Sequence, residues 1–500
     1  MKNIFKNLFI FEMANNHQGS VEHGLEIINA MGKIIRKYKI QGAVKFQYRD
    51  LDTLIHPDFA KRDDVKHIQR FLNTRLSKDE FLTLVEAVRD QGLITICSPF
   101  DEASVSLLLN HGIQIIKVAS CCAKDWPLLE VIAKAEKPVV CSTGGLSLYD
   151  IDNIVSFFTH RNVDFALLHC VSLYPAPNHE VQINFMERMI RRYSYVPVGY
   201  SGHESPNNVD VVKIAVAKGA AILERHVGIE KGDIKLNSYS MSPSQVDAWV
   251  ASALSAKKIS GKESYDKRVT QAETESLLSL ARGVYALKDI KKGSNIKRSN
   301  VFFAMPCAEG QIKSGEFTET LVASKNYCKN DPINAPIERM RQPNVIHMIR
   351  GIIHDARGML YEAHVEFGKD FEIELSHHYG IEHFRQFGAL IVNVINREYC
   401  KKLIVVLPGQ KHPNHYHKIK EETFQLLWGD ADVTINGIKN ELKPGDKILV
   451  EKGAWHSFTS KKGAIIEEIS TTHYSGDSYY EDETIKKLDP ITRKTILTDW

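Results

Sequence analysis

The sequence predicts an α/β protein that begins with a closed (β/α)8 TIM barrel, and two observations carry this prediction. Apolar runs of strand length recur eight times in the first 260 or so residues: "LFIFEMA", "GAVKFQY", "LITICSP", "IQIIKVAS", "KPVVCST", "DFALLHC", "VPVGYS" and "AAILERH". Stretches with helical spacing, such as "VEHGLEIINAMGKIIRKY", lie between them. Continuous apolar strands belong in a parallel sheet buried on both faces, and eight such units match a barrel. A doubly wound sheet fits less well, because no G-x-G-x-x-G follows the first strand.

Length and composition predict a globular protein of several domains, since the 500 residues are 43% hydrophobic and 25% charged. A net charge of +3, from 64 basic and 61 acidic residues, gives no reason to expect a nucleic-acid or membrane partner. The eight cysteines include no C-x-x-C pair, which favours a reducing compartment. We therefore expect a cytoplasmic protein that acts on small molecules.

Polar residues concentrate at the C-terminal ends of the predicted strands, the face where barrels of this type carry their active sites. They are Glu12, Lys45, Ser98, Lys117, Ser142, His169, Ser201 and His226. Lys45 and Lys117 would bind a phosphate or a carboxylate, and Ser120 and the strand-end serines would add hydroxyl donors. This pattern predicts an anionic substrate. The alternative is that these residues are polar only because barrel strands end near solvent.

Two histidines follow adjacent predicted strands: His203 in "GYSGHESP" and His226 in "LERHVG". Both imidazoles can therefore reach one divalent metal that keeps open coordination positions. Glu12, across the barrel mouth, would act as an acid or base, or would position a hydroxyl. The alternative for the histidines is ordinary hydrogen bonding to loop backbone.

Eight short motifs resemble those of the sialic acid synthase family, in the family's order and over about 230 residues. They are "FEMANNHQGS", "AVKFQ", "SPFD", "IKVAS", "KPVVCSTGG", "LLHCVSLYPAP", "VGYSGHESP" and "LERHVG". The segment "ARGVYALKDIKKGSNIKRSNVFFAMP" resembles the small antifreeze-like (SAF) domain that follows the barrel in that family. The resemblance implies a homodimer in which this domain covers the partner's barrel.

The resemblance implies a synthase that condenses phosphoenolpyruvate with an aldose to give a 2-keto-3-deoxy sugar acid for surface polysaccharide. Carbon 3 of phosphoenolpyruvate attacks the open-chain aldehyde, water adds at carbon 2, and phosphate leaves. By the same resemblance, His203 and His226 hold Mn or Mg, which polarises the aldehyde, while Glu12, Lys45 and Lys117 are catalytic. The implied substrate-binding residues are Ser98, Ser120, Ser142, Ser201, His169 and Asn237.

The sequence departs from the family on the side of the acceptor sugar. Cys121 and Cys122 stand where the family has glycine and a glutamate that contacts the acceptor, and Gly202 stands where it has aspartate. Asn237 is the nearest match to an expected acidic residue. Met305 replaces an arginine that recognises the sugar's acetamido group. We therefore expect an altered acceptor, namely a neutral or shorter aldose without an acetamido group.

A second candidate metal site lies near residue 415. Residues with the spacing of the two cupin motifs include Gly409, His415, His417, Glu422, Gly429, Gly445, Gly453 and His456. Two histidines one residue apart on a strand face the same side, and a small barrel brings Glu422 and His456 to them. Three imidazoles and a carboxylate predict a Zn, Mn, Fe or Ni site. The alternative is a cupin fold that has lost its metal.

The segment "NHYHKIKEETF" resembles the metal strand of sugar isomerase cupins related to lyxose isomerase, which implies an isomerase or epimerase. A binding or regulatory module is the alternative for this domain. For the barrel, the alternatives are a pyruvate aldolase that uses Lys117 to form a Schiff base, or a non-catalytic sugar-sensing barrel.

The predicted organisation has four segments. A TIM barrel covers residues 1–262, a linker 263–280, an SAF domain 281–340, and a cupin domain with a helical lead-in 341–500.

Overall fold

The computed structural model describes residues 4–60, 62, 64–65, 67–261, 267–319, 321–334, 338–339, 345–366 and 371–498. The chain divides into two compact units, Met1–Glu263 and Ser264–Trp500. Within the described residues, no helix combines the length and the apolar character needed to cross a bilayer.

The first unit is a closed barrel of eight parallel strands, as the sequence predicts. The strands are β1 Leu8–Glu12, β2 Gln41–Tyr48, β3 Ile94–Pro99, β4 Ile115–Val118, β5 Val139–Ser142, β6 Phe165–Cys170, β7 Val198–Gly202 and β8 Ile222–His226. Pairing of β1 with β8 closes the barrel and sets Glu12 opposite His226, while pairing with β2 sets Glu12 opposite Lys45. These three residues therefore lie at one level of the barrel, where Glu12 and His226 end their strands.

Helices surround the barrel. They are α1 Val21–Tyr38, α2 Leu51–Leu54, α3 Ile68–Asn73, α4 Lys78–Asp90, α5 Glu102–Asn110, α6 Trp126–Lys134, α7 Leu148–His160, α8 Ile183–Arg192, α9 Asp210–Ala217 and α10 Pro243–Ser260. Local sequence fixes several starts: Ser77 and Ser147 form capping boxes with Glu80 and Asp150. The two short helices α2 and α3 belong to a long connection between β2 and α4.

Alternate residues of each barrel strand face the interior, and this alternation decides which side chains reach the mouth. The interior core contains Leu8, Ile10, Ala43, Ile96, Ile115, Val140, Ala166, Leu168 and Ile222. Residues of the opposite parity, such as Phe9, Val44 and Leu167, pack in the larger cluster against the helices. Counting on by two from the interior residues therefore identifies the side chains that point into the mouth.

The second unit begins with a small β module. It contains α11 Gln271–Leu280, β9 Gly283–Ala286, β10 Val301–Ala304, β11 Leu321–Val322 and β12 Glu338–Arg339. β9 pairs antiparallel with β10, and β11 with β12. Val284, Ile296, Tyr327 and Ile333 belong to its own buried core.

The rest of the second unit is an all-β domain preceded by helix α12 Val345–Glu362. Its elements are β13 Glu372–His377, α13 Phe384–Phe387, β14 Gly388–Asn396, β15 Tyr399–Val406, β16 His415–Tyr416, β17 Glu422–Gly429, β18 Ala431–Ile435, β19 Ile438–Leu442, β20 Lys447–Val450, β21 His456–Thr459, β22 Ala464–Thr471, β23 Tyr479–Tyr480, α14 Glu483–Lys486 and β24 Lys494–Leu497. A seven-stranded sheet has the order β20-β17-β22-β15-β14-β13-β24, and a five-stranded sheet has the order β19-β18-β21-β16-β23. The predicted cupin architecture is confirmed.

The stability of this β domain should depend strongly on Gly429, a glycine of the first cupin motif. It has a φ of +85°, and a Cβ atom there would lie 1.9 Å from the carbonyl oxygen of Gly463. Gly437 has nearly the same φ, +84°, but a Cβ atom there would meet no heavy atom within 4 Å. Backbone strain alone costs about 1–2 kcal/mol, so the added clash should make Gly429→Ala cost about 3 kcal/mol or more.

The measurement is denaturant unfolding of both variants, followed by tryptophan fluorescence. Gly437→Ala is the matched control for strain without a clash. Equal losses of unfolding free energy in Gly429→Ala and Gly437→Ala would show that the sheet relaxes around position 429.

Candidate functional site

A buried ion-pair network occupies the barrel mouth. The ammonium of Lys45 contacts the carboxylate of Glu12 and lies 3.0 Å from Oε1 of Glu224. Ser201 donates its hydroxyl to the same Glu224 oxygen at 2.8 Å, and Oε1 of Glu12 accepts the backbone N–H of Ala14 at 2.7 Å. Because every charge has a close partner, the network can hold Lys45 in one position despite its burial.

Lys117 is the second cation of the mouth. Its ammonium donates to Oγ of Ser142 at 2.5 Å and to the carbonyl of Val118 at 3.0 Å. Within the part of the chain that the structure describes, no carboxylate forms an ion pair with Lys117. Oγ of Ser120, just beyond the same strand, accepts the N–H of Gly144 at 3.0 Å. The mouth therefore carries one neutralised and one unneutralised lysine.

The charges of this network act on one another. The pKa of Lys45 is lowered to about 8, chiefly by burial and also by the charge of Lys117, against the opposing effect of Glu224. For Glu224, burial would raise the pKa, but Lys45 and Lys117 prevail and bring it down to about 2. Glu224 is thus a carboxylate at neutral pH, and Lys45 is a cation that loses its proton under mildly alkaline conditions.

His203 and His226 lie side by side, with ring centres 5.4 Å apart. Nδ1 of His203 is 3.0 Å from the carbonyl of Val171; because a carbonyl only accepts, Nδ1 carries the proton and Nε2 is left with a lone pair. Burial lowers the pKa of His203 to about 4 and that of His226 well below its usual value. Two neutral imidazoles, one with its Nε2 free, fit a divalent metal.

The structure brings most of the predicted residues together but not all of them. Inward-facing parity holds for Glu12, Lys45, Ser98, Lys117, Ser142, Ser201 and His226, with Ser120 and His203 just beyond their strands. His169 has the opposite parity: its ring packs near Phe185 and Tyr200, and its Nε2 bonds the carbonyl of Val181 at 2.8 Å. His169 therefore lies behind the barrel wall.

Asn237 also has a local partner. Its Oδ1 accepts the backbone N–H groups of Tyr239 and Ser240 at 3.2 and 2.9 Å, so the side chain caps a turn. Its neighbour Tyr239 packs edge-on to His226, with ring centres 5.0 Å apart. Asn237 therefore shapes the loop beside the histidine pair.

Sequence reasoning missed Glu224 and Cys170. Both lie on the inward face of their strands, so they are identified once the inward parity of each strand is known. Glu224 stands two residues before His226 in "LERH", so the two side chains share a face. Cys170 takes the inward position that we expected of His169, and its Sγ lies 3.3 Å from Oγ of Ser120. Long apolar runs hide this parity, because both faces of the strand are buried.

Gly202 has a packing reason to be glycine. A Cβ atom at this position would lie 2.5 Å from a carboxylate oxygen of Glu204. That carboxylate is buried in an ion pair with Arg225 and accepts the hydroxyl of Tyr200 at 2.8 Å. The aspartate that the family resemblance leads one to expect at 202 has no room beside Glu204.

The second site lies in the all-β domain, where the four predicted ligands converge. Ligand atoms of His415, His417, Glu422 and His456 all lie within 4.8 Å of one another, and all four residues are buried. Register explains the convergence: β16 pairs with β21 so that His415 is opposite His456.

The hydrogen bonds of the three imidazoles prepare them for a metal. Nδ1 of His415, His417 and His456 lies 3.1, 2.6 and 3.0 Å from the carbonyls of Pro413, Asp477 and Ala454. Each Nδ1 therefore carries the proton, and each Nε2 presents a lone pair to the cluster. Burial lowers the pKa of His417 to about 4 and that of His415 well below its usual value.

One contact points directly to a cation. Nε2 of His456 lies 2.8 Å from Oε1 of Glu422, and neither atom has a hydrogen-bond partner among the described residues. With the His456 proton on Nδ1, two lone-pair atoms face each other in a buried site, which is unfavourable unless a cation binds both. The residues present therefore fit a divalent metal.

A lysine and a second carboxylate border this cluster. The ammonium of Lys420 lies 2.5 Å from Oε2 of Glu422 and 2.9 Å from Oε1 of Glu468. Burial would lower the pKa of Lys420, but Glu468 and Glu422 raise it above its ordinary value. The cluster thus has buried acid and base groups beside its ligands.

Comparison with known proteins finds one family match for the barrel and one for the all-β domain. The NeuB family profile matches residues 37–265, and the cupin domain profile matches residues 402–467. A Chromobacterium violaceum structure, described as a spore coat polysaccharide biosynthesis protein E, is 42% identical with a TM-score of 0.63. That match covers 67% of this chain and 100% of the other.

Two curated relatives are synthases. The N,N'-diacetyllegionaminic acid synthase of Campylobacter jejuni is 28% identical over 347 residues, which are 66% of this chain and 99% of the relative. The pseudaminic acid synthase of the same species is 27% identical over 317 residues, 61% of this chain and 89% of the relative. The chain is therefore similar to sugar acid synthases along most of their length.

Removing one ligand of the second site should remove its metal. His456→Ala eliminates an Nε2 ligand, so we expect the protein to retain about one divalent ion fewer per chain after dialysis, measured by mass spectrometry of the metals. His412→Gln is the matched control: its ring centre is 4.7 Å from that of His415, but its Nε2 faces Nε2 of His378 at 3.1 Å. Equal metal content in wild type and His456→Ala would contradict the assignment.

Proposed function

Because this chain belongs to the NeuB family, we propose that its barrel condenses phosphoenolpyruvate with an aldose to give a 2-keto-3-deoxy sugar acid. The observation that carries the proposal is the lysine pair of the mouth. Lys45 is held between two carboxylates, while Lys117 has only hydroxyl and carbonyl partners among the described residues. Phosphoenolpyruvate carries both a phosphate and a carboxylate, which suits two buried cations.

The substrate would be oriented by the hydroxyls beside these lysines. Ser142 already bonds Lys117, Ser201 bonds Glu224, and Ser120 lies next to the chain's Gly144 N–H. These donors would turn toward the phosphate and carboxylate when the substrate binds. Because the backbone positions these hydroxyls in a buried site, they lose little conformational entropy on binding and would hold carbon 3 toward the acceptor.

The aldehyde would lie beside His203 and His226, whose neutral imidazoles would hold Mn or Mg. The ion, when bound, supplies polarisation of the aldehyde carbonyl. Tyr174 packs against His203, with ring centres 4.4 Å apart, and borders that side of the histidine pair. The carbonyl carbon can then accept the electron pair of carbon 3.

Glu12 would handle the proton of the second step. A carbon–carbon bond forms between carbon 3 and the aldehyde, water adds at carbon 2, and the bond between carbon 2 and the phosphate oxygen breaks. Glu12 lies at the mouth in contact with Lys45, so its carboxylate is placed to take the proton of the attacking water, which balances the proton that the aldehyde oxygen takes up as it becomes a hydroxyl. Phosphate leaves toward the lysines.

Two alternatives for the barrel are separable by experiment. An aldolase would use Lys117 to form an imine with pyruvate, which borohydride would trap as a stable adduct. The proposed synthase makes no imine, and a sugar-sensing barrel consumes no substrate. Incubation with phosphoenolpyruvate and a panel of aldoses, followed by released phosphate and by product mass, identifies the synthase, and borohydride trapping with pyruvate separates the aldolase from the sensing barrel.

For the cupin site we propose a sugar isomerase or epimerase that uses Zn, Mn, Fe or Ni. The support is the four-residue cluster together with the buried Lys420 and Glu468, which provide groups for moving a proton between neighbouring carbons. A binding or regulatory module is the competing proposal. Conversion of ketoses to aldoses, measured without phosphoenolpyruvate, decides between them.

The remaining expectations about assembly stay proposals. We propose that residues 281–340 form an SAF domain that covers the barrel of a partner in a cytoplasmic homodimer, with residues 263–280 as a linker. The exposed Met305 lacks the donors that would recognise an acetamido group, so an acceptor without that group is favoured. Light scattering in solution and N-acetylmannosamine as a competing acceptor test these two points.

Loss of either barrel histidine should stop condensation. His203→Ala or His226→Ala should reduce phosphoenolpyruvate consumption by about a thousandfold or more, because the aldehyde loses its polarisation. The cupin metal should remain, since the two ligand sets are separate. His456→Ala is the reciprocal control, with the cupin metal lost and condensation of a supplied aldose kept. Turnover unchanged in both barrel variants would remove the metal from the mechanism.

The lowered pKa of Lys45 predicts a pH dependence of substrate binding. Lys45 is protonated below its pKa of about 8 and neutral above it, so the attraction for an anion is present at low pH and is lost as pH rises. The KM for phosphoenolpyruvate should therefore increase through pH 8, by up to about tenfold per pH unit.

Lys45→Arg is the matched variant for this profile. A guanidinium keeps its charge at alkaline pH, so any active Lys45→Arg enzyme should lose the alkaline rise in KM. The same rise in both proteins would assign the titration to another group.

A further inference from the structure

Arg49, immediately after β2, is held rigidly at the edge of the barrel mouth. Its guanidinium carbon lies 4.1 Å from the ring centre of Phe71 and 3.8 Å from that of Phe100. Its Nη2 donates to Oε1 of Gln47 at 2.6 Å. Two aromatic faces and a hydrogen bond fix the plane of the guanidinium, which leaves its other N–H groups aimed in set directions.

This arginine has no carboxylate partner among the described residues, and neither has Arg70 in α3. The connection between β2 and α4 contains other arginines that do: Arg62 pairs with Asp64, and Arg75 pairs with Asp52. Burial lowers the pKa of Arg49 to about 10, and the nearby charge of Arg70 contributes in the same direction. Within the described part of this connection, Arg49 and Arg70 are thus the two arginines without a carboxylate partner, and Arg70 directly precedes Phe71, whose ring packs on Arg49.

The position of Arg49 links it to the acceptor side of the mouth. Gln47 lies on the face of β2 that points into the barrel, and its Nε2 lies 3.5 Å from Oε2 of Glu12. Arg49 packs on Phe100, which follows β3, and β3 pairs with β4, the strand that Cys121 and Cys122 follow. Cys122 stands where the family resemblance expects a glutamate that contacts the acceptor, so this chain lacks that carboxylate on the acceptor side of the mouth.

We propose that the acceptor sugar carries an anionic group, a phosphate or a carboxylate, and that Arg49, supported by Arg70, binds it. The inference rests on the proposed synthase function and names the substrate class of that same site. The sequence alone favours a neutral aldose, because it shows the loss of the glutamate but not the packing that fixes Arg49 at the edge of the mouth. A planar guanidinium with free N–H groups binds either anion through two hydrogen bonds.

The test compares charged sugars with their neutral counterparts. Erythrose 4-phosphate, arabinose 5-phosphate and mannose 6-phosphate are each paired with the unphosphorylated sugar, and mannuronate represents a carboxylate. Consumption of phosphoenolpyruvate is followed by its ultraviolet absorbance, which is insensitive to sugar phosphate hydrolysis. We expect at least one charged sugar to exceed its neutral counterpart in kcat/KM by roughly 10- to 100-fold.

Arg49→Gln should remove this preference by raising KM for the charged sugar by a similar factor. The loss with the charged sugar should exceed any change with its neutral counterpart by that same factor. Arg75→Gln is the matched control, because it removes a cation of the same connection that is already paired with Asp52. Thermal melting of each variant checks folding.

Three results would overturn the inference: equal use of charged and neutral sugars by wild type, equal loss with all sugars in Arg49→Gln, or the same loss in Arg75→Gln. Calorimetric titration with the charged sugars, without phosphoenolpyruvate, tests the anion site independently of the synthase proposal. Binding that Arg49→Gln abolishes, in a protein that consumes no phosphoenolpyruvate with any sugar, would support the anion site and refute the synthase. Absence of such binding and of any charge preference would refute the anion site.

Discussion

Closure of the barrel through β1 is the constraint on which the mouth depends. Because β1 pairs with both β2 and β8, Glu12 lies level with Lys45 on one side and with His226 on the other. Strand alternation then sends all three side chains inward, where water is largely excluded. Burying a lysine in such a place is costly unless carboxylates flank it, and Glu12 and Glu224 do so. A slip of one residue in any of these strands would turn the charged groups toward the apolar layer under the helices.

The two candidate sites solve opposite electrostatic problems. In the barrel, both carboxylates contact Lys45, and Lys117 has no carboxylate partner among the described residues, so Lys117 is the cation left for an anion. In the cupin domain, backbone carbonyls hold the Nδ1 protons of three imidazoles outward, so lone pairs converge with a carboxylate and the cluster is prepared for a cation. In both sites the surrounding polar groups leave one charge without a partner, and the bound ligand would carry the opposite charge.

The sequence could predict the architecture and much of both sites, because each depends on short-range pattern. Eight buried strands give eight apolar runs, and the H-x-H spacing of His415 and His417 shows directly that these two side chains share one face of a strand. Parity is what the barrel strands conceal: both faces are apolar, so "LLHC" does not reveal that Cys170 faces inward and His169 does not. Arg49 lay beyond sequence reasoning for another reason. Its significance comes from Phe71, Phe100 and the lack of a paired carboxylate among the described residues, which are relations between distant segments.

The chemistry proposed for the two sites gives a thermodynamic reason to find them in one chain. Interconversion of a ketose and an aldose moves two hydrogens within the same sugar and leaves the kinds of bonds nearly unchanged, so neither isomer is strongly favoured. Condensation with phosphoenolpyruvate releases phosphate and forms a carbon–carbon bond, which makes it effectively one-way. An irreversible second step draws an unfavourable or balanced first step forward by mass action, whatever the geometry of the two units. A chain that carries both activities therefore needs only the more abundant sugar isomer, and the scarce aldehyde is consumed as it forms.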